Sequence, residues 1–325
     1  MISRRTLIGT GLAATLPAAG PALAQNYPRR PIQVIVSANA GGPTDVGARI
    51  LASIMEKDIG QSVVVVNKPG AGAQLGLTEL ARSRPDGYTI GIVHMPGTNT
   101  IILDPDRKAA FNTDSFIMII NQVLDAGVIW VKADSPYKTL GDLVAAAKQA
   151  PGKLSACTTG ILSDDHLAIL MLQEAADINF RIVHFDGAAQ QFTAILGGHV
   201  DAAFDNVGSV RKRAQAGEVR VLAVMDKQRS KLMPDYPTTA EQGFPTVVSS
   251  STRGYAAPKG TPPEIVKYLE THLKKAMETP EHMRRMEEVG LEVRIMTGEE
   301  YAKYFADQHA TAAKYTEWAK KLQQQ

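Results

Sequence analysis

The stretch Ser37–Arg49, SANAGGPTDVGAR, follows the apolar run PIQVIVS and leads into an amphipathic segment. It therefore reads as a strand turning into a helix. Gly41 and Gly42 remove side chains where something must approach the backbone, and Pro43 suits a first helical position. A helix start of this kind attracts anions, because its unpaired amides and its dipole both favour negative charge. Asn39, Ala40, Gly41, Gly42, Thr44 and Asp45 are the candidate ligand-binding residues of this turn.

Further turns follow the same plan. In TTGILSDDHLAILML, Thr158 and Thr159 precede Ser163, a natural N-cap, and Asp164 and Asp165 fall in the first helical turn. The ordinary role of such aspartates is to complement the helix dipole. FDGAAQQ places Asp186 after a strand, and DAAFDNVGS does the same with Asp205 and Asn206. Ligands of open α/β sheets bind at the carboxyl ends of parallel strands, so several such turns aimed at one crevice would form a binding site. Arg253 is the one strong cation that the sequence places near that crevice. It could receive a second acidic group of a ligand through two parallel hydrogen bonds, or it could pair with an aspartate to brace the chain.

Catalytic patterns are missing. The chain has no G-x-S-x-G elbow, and its seven histidines lack metal-ligand spacing. Its single cysteine, Cys157, reads as a small buried hydrophobe. NKPGAGAQLG approaches a dinucleotide fingerprint, but Lys68 and Pro69 separate its glycines from the strand. The next strand also ends in His94 and Met95 rather than an acidic residue. No catalytic residue, metal or cofactor is expected.

The first 24 residues carry Arg4 and Arg5, a weakly apolar middle and Ala22-Leu23-Ala24, the pattern of a signal peptide cleaved after Ala24. SRRTLIG also resembles a twin-arginine signal. The full chain has 35 Lys+Arg and 33 Asp+Glu, and removing Arg4 and Arg5 leaves 33 against 33. A neutral mature chain gives no footprint for nucleic acid. A soluble periplasmic monomer is expected.

What positions these turns is an alternation of apolar runs (IQVIVS, SVVVVN, YTIGIV, AGVIWV, KLSAC, RIVHF, VRVLAV) with segments of helical spacing. That alternation argues for an α/β fold with mainly parallel sheets flanked by helices. The 325-residue length suggests two lobes. No flexible linker separates them, so the chain must cross in extended segments, LDAGVIWVKADSP outward and SSSTRGYAAPKGTP on return. Lobe 1 is then residues 27–124 plus 252–325, and lobe 2 is residues 125–251.

Five segments together resemble the Bug family, the TctC-type solute-binding proteins of tripartite tricarboxylate transporters: YPRRPIQVIVSANAGGPTDVGARILA, VVVVNKPGAGAQLGLTELARSRPDGYTIGI, YKTLGDLVAAAKQAPGKL, ILGGHVDAAFDN and YAAPKGTPPEIVKYL. The resemblance runs from Tyr27 to about Trp318. It implies a two-lobed Venus-flytrap receptor of type II that closes on a small carboxylate and delivers it to membrane permease subunits. It also implies that residues 39–45 and 158–165 grip the carboxylate, largely through backbone and water. A periplasmic sensor feeding a signalling partner and an enzyme using the same cleft are the competing readings. The chain departs from the family at Ser37–Gly42, where the usual P-x-x-P-G-G loop reads SANAGG, at Asp164-Asp165, where serine or threonine is commoner, and at Arg253, where an aromatic or other apolar residue is expected.

Overall fold

The computed structural model describes residues 27–323. The signal segment expected over residues 1–24 lies outside them. The first strands and helices alternate strictly: β1 (Ile32–Val36), α1 (Pro43–Ile59), β2 (Val63–Asn67), α2 (Gln74–Arg82), β3 (Thr89–Val93) and α3 (Gly97–Leu103). The β-branched runs IQVIV and VVVVN suit strands that are covered on both faces. β1 pairs in parallel with β2 and with β3, so their carboxyl ends, and the loops that follow them, share one edge.

β4 (Phe116–Lys132) is a 17-residue strand that belongs to both halves of the molecule. Its Phe116–Ala126 portion runs antiparallel to β9 (Ser250–Pro258), which also pairs with β3. Its Gly127–Lys132 portion pairs instead with β7 (Ala202–Asn206) and β8 (Val219–Met225). The change of partners between Ala126 and Gly127 marks the passage from one lobe to the other. β5 (Ser155–Thr158) lies between β6 (Arg181–His184) and β7, parallel to both. α4 (Leu140–Gln149), α5 (Asp164–Ala176), α6 (Ala188–Leu196) and α7 (Val207–Gln215) complete this lobe. Each sheet is thus parallel on its outer side, and the two crossover strands add antiparallel pairs at the centre.

Alternation along β4 explains how one strand serves two cores. Ile129 and Val131 face α4 and α5 together with Leu143, Leu167 and Leu170. Val128 and Trp130 face α6 and α7 with Cys157, Phe192 and Val210. In the first lobe, α1, α8 (Pro263–Met277) and α9 (Pro280–Glu288) cover one sheet face, while α2 and α3 cover the other.

The last strand, β10 (Val293–Thr297), pairs with β4 and leads into α10 (Gly298–Gln323). This helix corrects the division drawn from sequence, which gave all of residues 252–325 to lobe 1. Tyr301 and Phe305 pack in the first lobe, but Ala312, Tyr315 and Ala319 pack in the core of the second. Lys314 and the Tyr315 hydroxyl both donate to Glu174 of α5, at 2.6 and 2.7 Å. A 26-residue helix is roughly 39 Å long, enough to reach from one lobe onto the other. None of the helices among the described residues is long and apolar enough to cross a membrane.

Candidate functional site

On the first lobe, Gly42 is the N-cap of α1 and makes no side-chain cap, and Pro43 is the first helical residue. The amides of Thr44 and Asp45 therefore sit in a first turn that lacks intrahelical acceptors. Gly41 has φ +78°, a conformation that favours glycine. Asp45 points back into its own loop. Its carboxylate accepts from the Gly41 amide (2.8 Å), Arg49 Nε (2.9 Å) and Asn67 Nδ2 (2.9 Å). These bonds outweigh partial burial and hold its pKa below the usual carboxylate range. The Asp45 side chain thus fixes its own loop. The Thr44 hydroxyl is hydrogen-bonded with His94 Nε2 at 3.2 Å. Burial, with a smaller contribution from Arg253, lowers the His94 pKa to about 4, so the imidazole is neutral near pH 7.

The loop before α2 adds a wall that the sequence reading left out of the site. Gly70, Ala71, Gly72 and Ala73 have φ of +127°, +48°, +58° and +80°. Two alanines in the left-handed region carry strain of the sort that clusters at ligand clamps. Arg107 Nη1 donates to the Ala71 carbonyl at 2.8 Å and holds the loop from outside. Gly76 lets α2 lie against the end of β1, since a Cβ there would stand 2.7 Å from Ser37 Cβ.

On the second lobe, Ser163 caps α5 by accepting from the His166 amide at 3.3 Å. The Thr158 hydroxyl is hydrogen-bonded with His184 Nδ1 at 2.8 Å, and the Thr159 amide donates to Asp165 Oδ2 at 3.1 Å. Asp164 Oδ2 accepts from Asn206 Nδ2 at 2.8 Å, and the same amide group reaches the Asp125 carbonyl at 3.1 Å. Asp205 Oδ1 accepts from the Asn206 amide at 2.6 Å. Asp125 Oδ1 accepts from the Gly208 amide at 2.9 Å. Desolvation raises the pKa of Asp125, Asp164, Asp165 and Asp205, the last to about 7.

Arg253 stands beside these acids. Its Nη1 is 3.5 Å from Asp125 Oδ2, an ion pair between the two crossover strands. Alignment there is poor, and both Nε and Nη1 are buried without a hydrogen-bond partner among the described residues.

A cavity of about 250 Å³ lies between the lobes. Gly72, Ala73 and residues 94–98 wall it on one side, Ser163 and Asp164 on the other, and Ser251 of the returning crossover closes it. A recess of about 560 Å³ adjoins it at Gly72 and Ala73, with Ser37, Ala38, Asn39, Pro69 and Gly70 completing its wall. Ser163, Asp164, Asp205, Asn206 and Arg253 are therefore brought to one region, with Thr158 and Thr159 supporting it. Asn39 reaches the adjoining recess, and Thr44 reaches the cavity wall through His94. Ala40 and Gly41 are exposed on the loop. Asp186 is also exposed; its amide donates to Gln190, and it lines neither space. Asp125 and His94 were missed, although an aspartate inside the apolar run of β4 and a histidine at the end of β3 were visible signals.

A larger cavity, about 800 Å³, opens behind the crossover strands. Two of its cations are matched, Arg294 with Asp226 at 2.9 Å and Lys314 with Glu174 at 2.6 Å. Among the described residues no group of three or more His, Cys, Asp or Glu could hold a metal ion. Cys157 is buried and its thiol is pushed up to about 12, chiefly by desolvation, so it is a poor nucleophile.

Small-ligand geometry between two lobes agrees with the comparisons. BugT of Bordetella pertussis is 31% identical over 300 residues, covering 91% of each chain. The crystal structure of a TctC solute-binding protein from Polaromonas has a TM-score of 0.79 at 31% identity, over 88% of this chain and 98% of that one. R. palustris Rpa4515 with adipate has a TM-score of 0.77 at 26% identity, over 90% and 98% of the two chains. The family model of the tripartite tricarboxylate transporter family receptor, TctC, matches residues 47–318. A two-lobed α/β chain whose cavity is shared between the lobes, and which matches that model over most of its length, belongs to the TctC family of solute-binding receptors, the Bug type.

Proposed function

We propose that this protein is a periplasmic receptor that closes its lobes on a small carboxylate and delivers it to the membrane subunits of a tripartite transporter. The observation that carries the reading is the interlobe cavity, whose wall combines Ser163 and Asp164 of one lobe with Gly72, Ala73 and His94 of the other. Two helix starts, at Thr44-Asp45 and at Ser163-Asp164, bring polar backbone toward this region, and backbone amides at helix starts favour a carboxylate. Adipate in Rpa4515 supports a ligand of this class. In this reading Asn39–Gly42 shape the approach, Asp45 fixes its loop, Thr158 and Thr159 support the second loop, and Asn206 orients Asp164. Arg253 holds the crossover strands together through Asp125.

Closure on a ligand stabilises the folded state by mass action, by about 2.7 kcal/mol at a hundredfold excess over Kd. Thermal unfolding in the presence of mono-, di- and tricarboxylates tests this. A melting shift of several degrees with at least one carboxylate is the expected result; shifts only with nucleotides would contradict the reading.

A further inference from the structure

Tyr301 lies near the start of α10 and is fully buried, although its side chain ends in a hydroxyl. The ring passes β9 at Gly254, where a Cβ would stand 2.2 Å from Tyr301 Cε1 and 2.7 Å from its hydroxyl. Gly254 is the register partner of Val93, the last residue of β3. The gap that this glycine leaves in the crossover strand therefore delivers the hydroxyl to the Val93 carbonyl, to which it donates at 3.1 Å.

The same hydroxyl is 3.3 Å from Thr252 Oγ1. Thr252 is bonded twice to Met95: its amide donates to the Met95 carbonyl at 3.1 Å, and its Oγ1 accepts from the Met95 amide at 3.2 Å. With the tyrosine hydrogen on Val93, the Thr252 hydrogen is left for the tyrosine oxygen or the Met95 sulfur. Val93, Met95 and Thr252 are themselves buried. A buried network of this kind rigidifies what it joins when it is complete, and loss of one member strands the others.

What it joins is the first-lobe wall of the interlobe cavity. Residues 94–98 line that cavity, and so does Ser251, next to Thr252. Tyr301 does not line it, but holds the chain one residue before this wall, and Thr252 holds the wall itself at Met95. The helix that carries Tyr301 is docked further along on the second lobe, where Tyr315 bonds Glu174 of α5, the helix whose first turn is the opposite wall. We propose that Tyr301 is a positioning residue of the binding site, whose hydroxyl fixes residues 94–98 in place against Ser163 and Asp164. This rests on the receptor reading above and deepens it.

Tyr301→Phe keeps the ring and removes only the hydroxyl. Calorimetry of the mature protein with acetate, succinate, adipate and citrate should show binding of at least one acid, weakened about fivefold or more in folded Tyr301→Phe. Amide hydrogen exchange at residues 94–98 of the ligand-free variant should also quicken. Tyr304→Phe makes the same change one turn later, where the hydroxyl bonds Ser250 Oγ at 2.8 Å beside the larger cavity; its affinity should stay within about twofold of wild type. Should Tyr301→Phe fail to fold, Thr252→Val, which loses a hydroxyl, should show the weakened binding and Thr252→Ser, which keeps it, should not. A lowered melting temperature with unchanged affinity in Tyr301→Phe would overturn the proposal, leaving a purely structural tyrosine. Equal losses in Tyr301→Phe and Tyr304→Phe would overturn it too, as a general loosening of α10. In both cases the receptor reading stands; wild-type protein that binds none of the four acids would overturn both together.

Discussion

The turns that open α1 and α5 occupy equivalent places in the two lobes, yet they dispose of their acids differently. The first is built from glycines and a proline, has no side-chain cap, and spends its one acid internally on Gly41, Arg49 and Asn67. The second is capped by Ser163 and opens with two aspartates, backed by Asp125 and Asp205, with no lysine or arginine in its own helix. Both turns offer backbone amides, but the acid of the first is turned into its own loop and that of the second, Asp164, lines the cavity.

The largest expected effect comes from breaking the first turn. Asp45→Ala removes three hydrogen bonds from a side chain that is only 4% exposed. It should cost about 2–3 kcal/mol, discounted because Arg49 is half exposed. Urea unfolding measures this, and a loss below about 0.5 kcal/mol, the range of ordinary surface substitutions, would show that the loop does not depend on Asp45.

The second turn should respond to pH in the opposite direction from the first. Burial raises the folded pKa of Asp205 to about 7, above its unfolded value. Its contribution to stability is therefore fully present below the unfolded pKa of about 3.9 and is lost as pH rises through about 7. Asp45 has a lowered folded pKa, so its contribution is present at neutral pH and lost on acidification. Asp205→Asn should flatten the fall in melting temperature of the ligand-free protein between about pH 5 and 8, relative to wild type. Parallel profiles for the two proteins would mean that Asp205 does not titrate in that range.

Ser163→Ala is the smallest change. Losing the N-cap of α5 should cost about 1 kcal/mol, readable as a shift in denaturation midpoint without a change in slope. Gly42 makes no side-chain cap to lose, so the two caps differ in what a methyl group removes.

Much of the fold was legible because it is written locally. Runs such as VVVVN and YTIGIV, separated by amphipathic stretches, can satisfy their backbones and bury their side chains only as covered strands. The crossover segments were legible for a related reason, as extended apolar chain with no linker composition. What stayed hidden depends on contacts between distant residues. The pairing of Asp125 with Arg253 follows from the β4–β9 register, and the reach of α10 onto the second lobe follows from helix length and docking. The Gly70–Ala73 loop was set aside because it failed as a nucleotide motif. Its left-handed alanines, Ala71 and Ala73, are imposed by surrounding structure that no local propensity shows. At the site, Ser163 capping was readable from its spacing, whereas the choice of Asp164 over Asp165 as the cavity-lining acid was not. Adjacent residues of a helix point in different directions, and tertiary packing decides which one faces the cleft.

The central claim is that one ligand touches both lobes, and Ala73 and Ser163 are suited to test it because they line the cavity from opposite sides. Ala73→Cys and Ser163→Cys, made separately, can be assayed for reaction with a thiol reagent. Cys157 gives little background, being buried with its thiol pushed up to about 12. Both introduced thiols should react in the free protein and both should be protected by the carboxylate that gives the largest melting shift. Protection of only one of them, or of neither, would contradict a ligand held between the lobes.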